Sequence, residues 1–119
     1  MTRGIILFGH GSRDPQWRRP IEAVAARLAA KGAALAVRCA YLELDQPDLA
    51  TAAEQLMSQG VAELTIVPMF LGTGKHARDD LPRLVEGLRI AHPNVQWTLQ
   101  QPVGEDPRVL DLLTQIALE

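Results

Sequence analysis

The sequence predicts a three-layer α/β/α domain built on a four-stranded parallel sheet in the order 2-1-3-4. Three observations predict it. Four strand-type apolar runs alternate with four segments of helical periodicity, and β-α units with right-handed crossovers give a parallel sheet with helices on both faces. Two of the runs, Gly4–Phe8 and Leu64–Leu71, are unbroken, as suits strands covered on both faces, while the other two alternate and so belong at sheet edges. At 119 residues the chain is one domain, 1–119, long enough for one core and too short for two.

The first strand, Gly4-Ile5-Ile6-Leu7-Phe8, is followed by a helix whose apolar positions Ile21, Val24, Ala25, Leu28 and Ala29 recur at i, i+3, i+4, i+7 and i+8, with Gly32 as its stop. In the second strand Leu35, Val37, Cys39 and Tyr41 share one parity, with Arg38 between them. Leu49, Ala52, Ala53 and Leu56 mark the second helix, with Pro47 suited to its first turn and Gly60 to its end. In the third strand Pro68 lacks a ladder donor and is expected to mark a bulge. The third helix carries Leu81, Leu84, Val85 and Leu88, with Asp79 and Asp80 expected at its N-terminal end, where the helix dipole favours negative charge. Val95, Trp97 and Leu99 alternate with Gln96 and Thr98 in the fourth strand, and Val109, Leu112, Leu113 and Ile116 form the last helical stripe.

Composition narrows the function classes. The chain is 47% apolar and 22% charged, with a net charge of −2, so nothing suggests bulk attraction to nucleic acid or to an anionic membrane. No apolar run approaches the ~20 residues that span a bilayer. The N-terminus enters a strand pattern directly, without the regions of a signal peptide. The lone Cys39 is expected to be a buried thiol, and the expected location is cytoplasmic.

Chemistry gathers at one end of the predicted sheet. His10 follows the first strand in Gly9-His10-Gly11-Ser12-Arg13, and His76 follows the third in Gly72-Thr73-Gly74-Lys75-His76. In a 2-1-3-4 order the crevice between the carboxyl ends of strands one and three is the topological switch point, where open α/β sheets bind ligands. Glu43 ends strand two on the same rim. Two imidazoles and a carboxylate suit a borderline divalent ion such as cobalt, nickel, iron or zinc without selecting among them. Each residue also has a plain reading: a loop histidine that orders a turn, a helix-entry histidine, a solvated carboxylate. Gly9 and Gly11 favour a ligand, since glycine permits close approach of backbone.

Several motifs fail. Gly74-Lys75 resembles the end of a P-loop, but Met69 replaces its first glycine and His76 its Ser/Thr. Ser12 is not in a Gly-x-Ser-x-Gly elbow, and Gly9 stands where a histidine phosphatase carries arginine. Arg13, Arg18, Arg19, Lys75, Arg78 and Arg83, half of the 12 Lys+Arg, lie in or just after the two histidine loops. Such a rim suits an anionic ligand, with guanidinium groups pairing its carboxylates.

Three stretches, Gly4 through Pro15, Tyr41-Leu42-Glu43 and Val67 through His76, together resemble the small CbiX-type sirohydrochlorin chelatases, class II chelatases of cobalamin and sirohaem biosynthesis. The similarity runs from the first strand to the last helix; Ala77 departs from the bulkier aliphatic residue often found there. The resemblance implies a flavodoxin-like chelatase half-domain that inserts a divalent metal, chiefly Co²⁺ and otherwise Ni²⁺ or Fe²⁺, into sirohydrochlorin without a nucleotide or other organic cofactor. It implies a homodimer facing across a tetrapyrrole cleft. His10, His76 and Glu43 would be the metal-holding and catalytic residues, and Gly11, Ser12, Arg13, Gly72, Thr73, Gly74, Lys75 and Arg78 would bind the eight-carboxylate macrocycle. The rival reading is a metal- or tetrapyrrole-binding protein without turnover; a phosphohistidine enzyme acting through His10 is a third.

Overall fold

The computed structural model describes residues 2–119 and contains the predicted sheet. Its elements are β1 (Arg3–Gly9), a 3₁₀ turn (Pro15–Arg18), α1 (Arg19–Ala29), β2 (Leu35–Tyr41), α2 (Leu49–Ser58), β3 (Glu63–Pro68), α3 (Lys75–Ala91), β4 (Gln96–Leu99), a second 3₁₀ turn (Val103–Glu105) and α4 (Pro107–Ala117). All strand pairs are parallel and the order is β2-β1-β3-β4. In register, Gly9 lies beside Tyr41 and Phe8 beside Pro68, so the carboxyl ends of β1, β2 and β3 finish level on one rim.

The unbroken apolar runs go where their composition sends them. Along β1, Gly4 to Gly9 are all buried. One sheet face carries Ile6, Phe8, Leu64, Ile66 and Trp97 against Leu49, Ala52, Ala53 and Leu56 of α2 and Ala77, Leu81, Val85 and Leu88 of α3. Burial of each large aliphatic or aromatic side chain there contributes roughly 1.5–3 kcal/mol. The opposite face is thinner: Ile5, Leu7 and Tyr41 pack with Ile21 of α1, joined by half-buried Val37, Val67 and Met69.

Four expectations change. Pro68 makes no bulge; it is the last residue of β3, which stops there, and the chain beyond it leaves the sheet after the Met69 amide donates to the Phe8 carbonyl (2.7 Å). Pro47 precedes α2, whose N-cap is Asp48, the carboxylate accepting from the Thr51 amide at 2.9 Å. α3 begins at Lys75, so Asp79 and Asp80 lie beyond its first turn and have no claim on its N-terminal amides. The stripe of α4 has helical period but no buried residue. Periodicity shows which side of a helix is apolar; it does not show that a partner surface is within reach.

Candidate active site

The rim at the ends of β1 and β2 is tied by backbone before any side chain takes part. The Leu42 amide donates to the Gly9 carbonyl (2.9 Å) and the Glu43 amide to the His10 carbonyl (3.0 Å), carrying the β1–β2 pairing past both strands. Gly11 turns with φ +102°, and a Cβ there would lie 1.7 Å from the Glu43 carbonyl oxygen. Gly11 is thus required by the chain's own packing: it lets the β1 loop close against β2. Gly9 likewise faces Ile21 and Trp17, where a Cβ would meet the Ile21 Cδ1 at 2.6 Å. Both glycines bring backbone to protein, a role the sequence does not show.

That closure sets His10 beside Glu43, with His10 Nε2 2.8 Å from Glu43 Oε1 and both side chains about half exposed. Leu44 next adopts φ 65°, an unusual conformation for a branched side chain. This turn points Asp45 inward, where it accepts from the Ser12 amide (2.9 Å) and pairs with Arg18 at 3.0 Å. Asp45 is a supporting residue missed in the sequence, where it is one more acidic residue in a loop; only the fold brings it 27 positions back to Arg18.

His76 lies in the first turn of α3 with its side chain 94% exposed, and its Nδ1 is 4.0 Å from Asp80 Oδ2 one turn on. His10, Leu42, Glu43, His76 and Asp80 line one pocket of about 280 Å³. The three predicted ligands therefore share a pocket. Among the described residues, however, no group of three His, Cys, Asp or Glu side chains is close enough to hold a metal ion. Asp80, expected to serve the helix dipole, faces this pocket instead.

Two further depressions adjoin it through shared walls. Leu42 and Asp80 also line a cavity of about 440 Å³ with Phe8, Tyr41, Leu49, Leu84 and Arg83. Another of about 440 Å³ is formed by Lys75, His76, Asp79, Asp80 and Arg83. The combined cleft has an apolar floor, a His/Glu/His centre and an edge on which Lys75 and Arg83 stand among Asp79 and Asp80. Of the predicted anion-binding residues, Lys75 belongs to it. Thr73 and Arg78 line a separate cavity of about 270 Å³ with Phe70, Leu99 and Glu105. Gly72 and Gly74 are exposed, and a Cβ on either would meet nothing within 4 Å. Ser12 is committed to the loop: its hydroxyl accepts from the Asp14 amide (3.1 Å). Arg13 is exposed. Arg18 is neutralised by Asp45 and, at 3.7 Å, Glu22, so it drops out of the cationic rim.

Chemically, a neutral imidazole has one N–H and one lone pair, and the partner of one nitrogen sets the tautomer. With Nε2 donating to the Glu43 carboxylate, Nδ1 of His10 presents a lone pair, for a metal or for a proton. A carboxylate behind a histidine orients the ring. Below the rim, burial pushes the Tyr41 phenol from its ordinary 10.0 up to about 12, reinforced by the charges of Cys39, Glu22 and Asp45, which keeps it neutral as part of the cleft floor. Burial likewise raises the Cys39 thiol.

Four similarities bear on the chain. A family model described as CbiX matches residues 4–119. The sirohydrochlorin cobaltochelatase of Methanosarcina barkeri is 31% identical over 117 residues, which cover 92% of this chain and 90% of that protein. The sirohydrochlorin ferrochelatase of Bacillus subtilis is 28% identical over 92% of this chain but only 42% of its own length. Among solved structures, a CbiX protein of Marinobacter aquaeolei VT8, named for cobalamin (vitamin B12) biosynthesis, superposes with a TM-score of 0.80 at 35% identity, covering 97% of this chain and 93% of that one.

Proposed function

The chain belongs to the CbiX family, and on that premise we propose that it is a sirohydrochlorin chelatase that inserts a divalent metal, Co²⁺ in the first place, without a nucleotide or organic cofactor. The observation that carries the reading is the pocket itself: the His10–Glu43 pair at 2.8 Å with His76 on the facing wall, beside an apolar floor and the cationic groups Lys75 and Arg83. A flat macrocycle with peripheral carboxylates finds a matching surface in that combination. Relatives named for cobalt and for iron bracket the choice of metal. The ion is a substrate here, and affinity alone does not identify it, because the Irving–Williams order governs any such donor set.

Insertion exchanges two pyrrole N–H protons for one M²⁺, so the site must hold the ion briefly and take up protons. His10 Nδ1, with its ring held by Glu43, binds the incoming ion or receives a proton; His76 supplies the second imidazole from the α3 side. Glu43 serves as the proton's next stop or as an added ligand. Donors on two walls that do not converge into a closed cage suit an ion that must move on to the macrocycle nitrogens, since closed four-ligand sites retain their metal. The proposed working unit is a homodimer with paired clefts.

The test is multiple-turnover metallation of sirohydrochlorin followed by absorbance under anaerobic conditions, with Co²⁺, Ni²⁺ and Fe²⁺ compared. His10→Ala and His76→Ala should each lower the rate by about 100-fold or more, the usual scale of a lost general base or positioned ligand, with unchanged circular dichroism. A wild-type chain that stops at one equivalent of product is a binding protein, and full activity in the double variant removes these histidines from the mechanism.

A further inference from the structure

The Glu43 carboxylate reaches His10 through a stretch of chain that then bends in a way leucine resists. The Asp45 amide donates to the Glu43 carbonyl at 2.7 Å, closing a three-residue turn around Leu44, whose φ is 65°. Turns of this hand are rare, and left-handed backbone is unfavourable for a branched side chain. Leu44 gains no burial in return, since it is 54% exposed. Such a conformation persists only where the surroundings impose it.

The group that imposes it is Asp45. Its Oδ2 accepts from the Ser12 amide (2.9 Å) and its Oδ1 from Arg18 Nη1 (3.0 Å), and the side chain is only 9% exposed. Those two partners flank a loop that is already tied within itself: the Asp14 amide donates to the Ser12 hydroxyl, and the Asp14 carboxylate accepts from the Gln16 amide. One carboxylate thus grips the β1 loop at two points while its own backbone amide holds the Glu43 carbonyl. Hydrogen bonds to an ionised, sheltered carboxylate are among the strong ones. Asp45 and Arg18 line none of the three depressions that make up the cleft. Both face a separate one of about 590 Å³ beside β2, with Glu22, Arg38 and Gln55.

We propose that the Asp45–Arg18 pair is a latch that positions Glu43 on His10. It holds Leu44 in its left-handed turn and so fixes the direction in which the Glu43 side chain leaves the end of β2. Asp45 and Arg18 are positioning residues, in contact with neither metal nor macrocycle. With the latch open, Leu44 relaxes to negative φ, the Glu43–Leu44 peptide rotates, and the Glu43 carboxylate swings away from His10 Nε2. The half-exposed His10 ring then loses the one partner that fixes its orientation. The effect is selective: Phe8, Leu42, Lys75 and Arg83, which line the rest of the cleft, stay where they are. Affinity for the macrocycle is kept and the chemical step slows.

This inference deepens the chelatase reading and rests on it for its kinetic half; its geometric half is read on the metal-free protein alone. In the wild type, nuclear Overhauser contacts should join the His10 ring protons to the Glu43 methylenes. Asp45→Ala should lose them, and adding Leu44→Gly to Asp45→Ala should restore them, because glycine takes positive φ freely and the turn no longer needs holding. In metallation of sirohydrochlorin with Co²⁺, Asp45→Ala should lower kcat by about 10- to 100-fold, the usual scale for a residue that orients a ligand, with KM for sirohydrochlorin unchanged. The Leu44→Gly/Asp45→Ala chain should regain much of that rate, which loss of a merely structural contact would not allow. If circular dichroism shows Asp45→Ala unfolded, Arg18→Gln, at a more exposed position, opens one arm of the latch and carries the same comparison. Contacts that survive in Asp45→Ala, contacts or rate that Leu44→Gly fails to restore, or a rise in KM without a fall in kcat each overturn the latch. A wild type without turnover overturns the chelatase reading, and the His10–Glu43 contacts then decide the latch by themselves.

Discussion

At Gly11 one missing carbon decides the shape of the site. Its φ of +102° and the 1.7 Å from a would-be Cβ to the Glu43 carbonyl mean that any side chain must open the contact that sets His10 beside Glu43. Gly11→Ala should cost about 2 kcal/mol or more, from left-handed strain together with the forced loop shift, read as a lower urea midpoint, and metallation activity should fall further than stability. Tyr41 offers a cleaner readout, because it is the only tyrosine in the chain. Its folded pKa, raised to about 12 from 10.0, means that the fold favours the neutral phenol. The resulting stability is fully present below about pH 10 and is lost as pH rises toward 12. A phenolate absorbance titration should show a single ionisation near 12 in the folded protein and near 10 in urea. His10, His76 and Glu43 were legible as candidates from their places after strand-like runs. Asp45 and Asp80 were not, because their roles depend on which distant surface they face.

Elements were more legible than their ends. The apolar stripes of α1, α2 and α3 face the sheet as their spacing requires, and edge and centre strands sort by alternation and continuity. Element ends depend on single capping interactions that spacing does not encode. Asp48 is one: its carboxylate accepts from the Thr51 amide, and that hydrogen bond holds its pKa below the ordinary carboxylate value. Asp48→Ala should destabilise the chain by ~1 kcal/mol at neutral pH. A group whose pKa is depressed by folding contributes above its unfolded pKa and ceases to contribute as pH falls through its folded one, so the difference between wild type and variant should vanish in acid. Thermal melts at neutral pH and in acid well below the ordinary carboxylate range check both halves of that statement. At α4 the stripe is legible and its partner is not, since amphipathicity specifies a face and leaves open whose surface covers it.

For the whole molecule, the sheet order places the site. With β1 and β3 adjacent at the centre, the loops after them leave the same rim on either side of one crevice, and β2 brings Glu43 alongside. The helices do not cover this sheet evenly. α2 and α3 close one face, and α1 packs over β2 and β1 on the other.

The sequence by itself determined the α/β/α class, the 2-1-3-4 order, the helix faces and the rim on which His10, Glu43 and His76 sit, because hydrophobic period and strand continuity are local properties that add up to topology. Only the tertiary structure decided that Gly9 and Gly11 serve the chain's own closure, that Asp45 neutralises Arg18, that Asp80 joins the pocket and that α4 leaves its own sheet. Each of these depends on a distance between residues far apart in sequence, and such distances are fixed by packing rather than by composition.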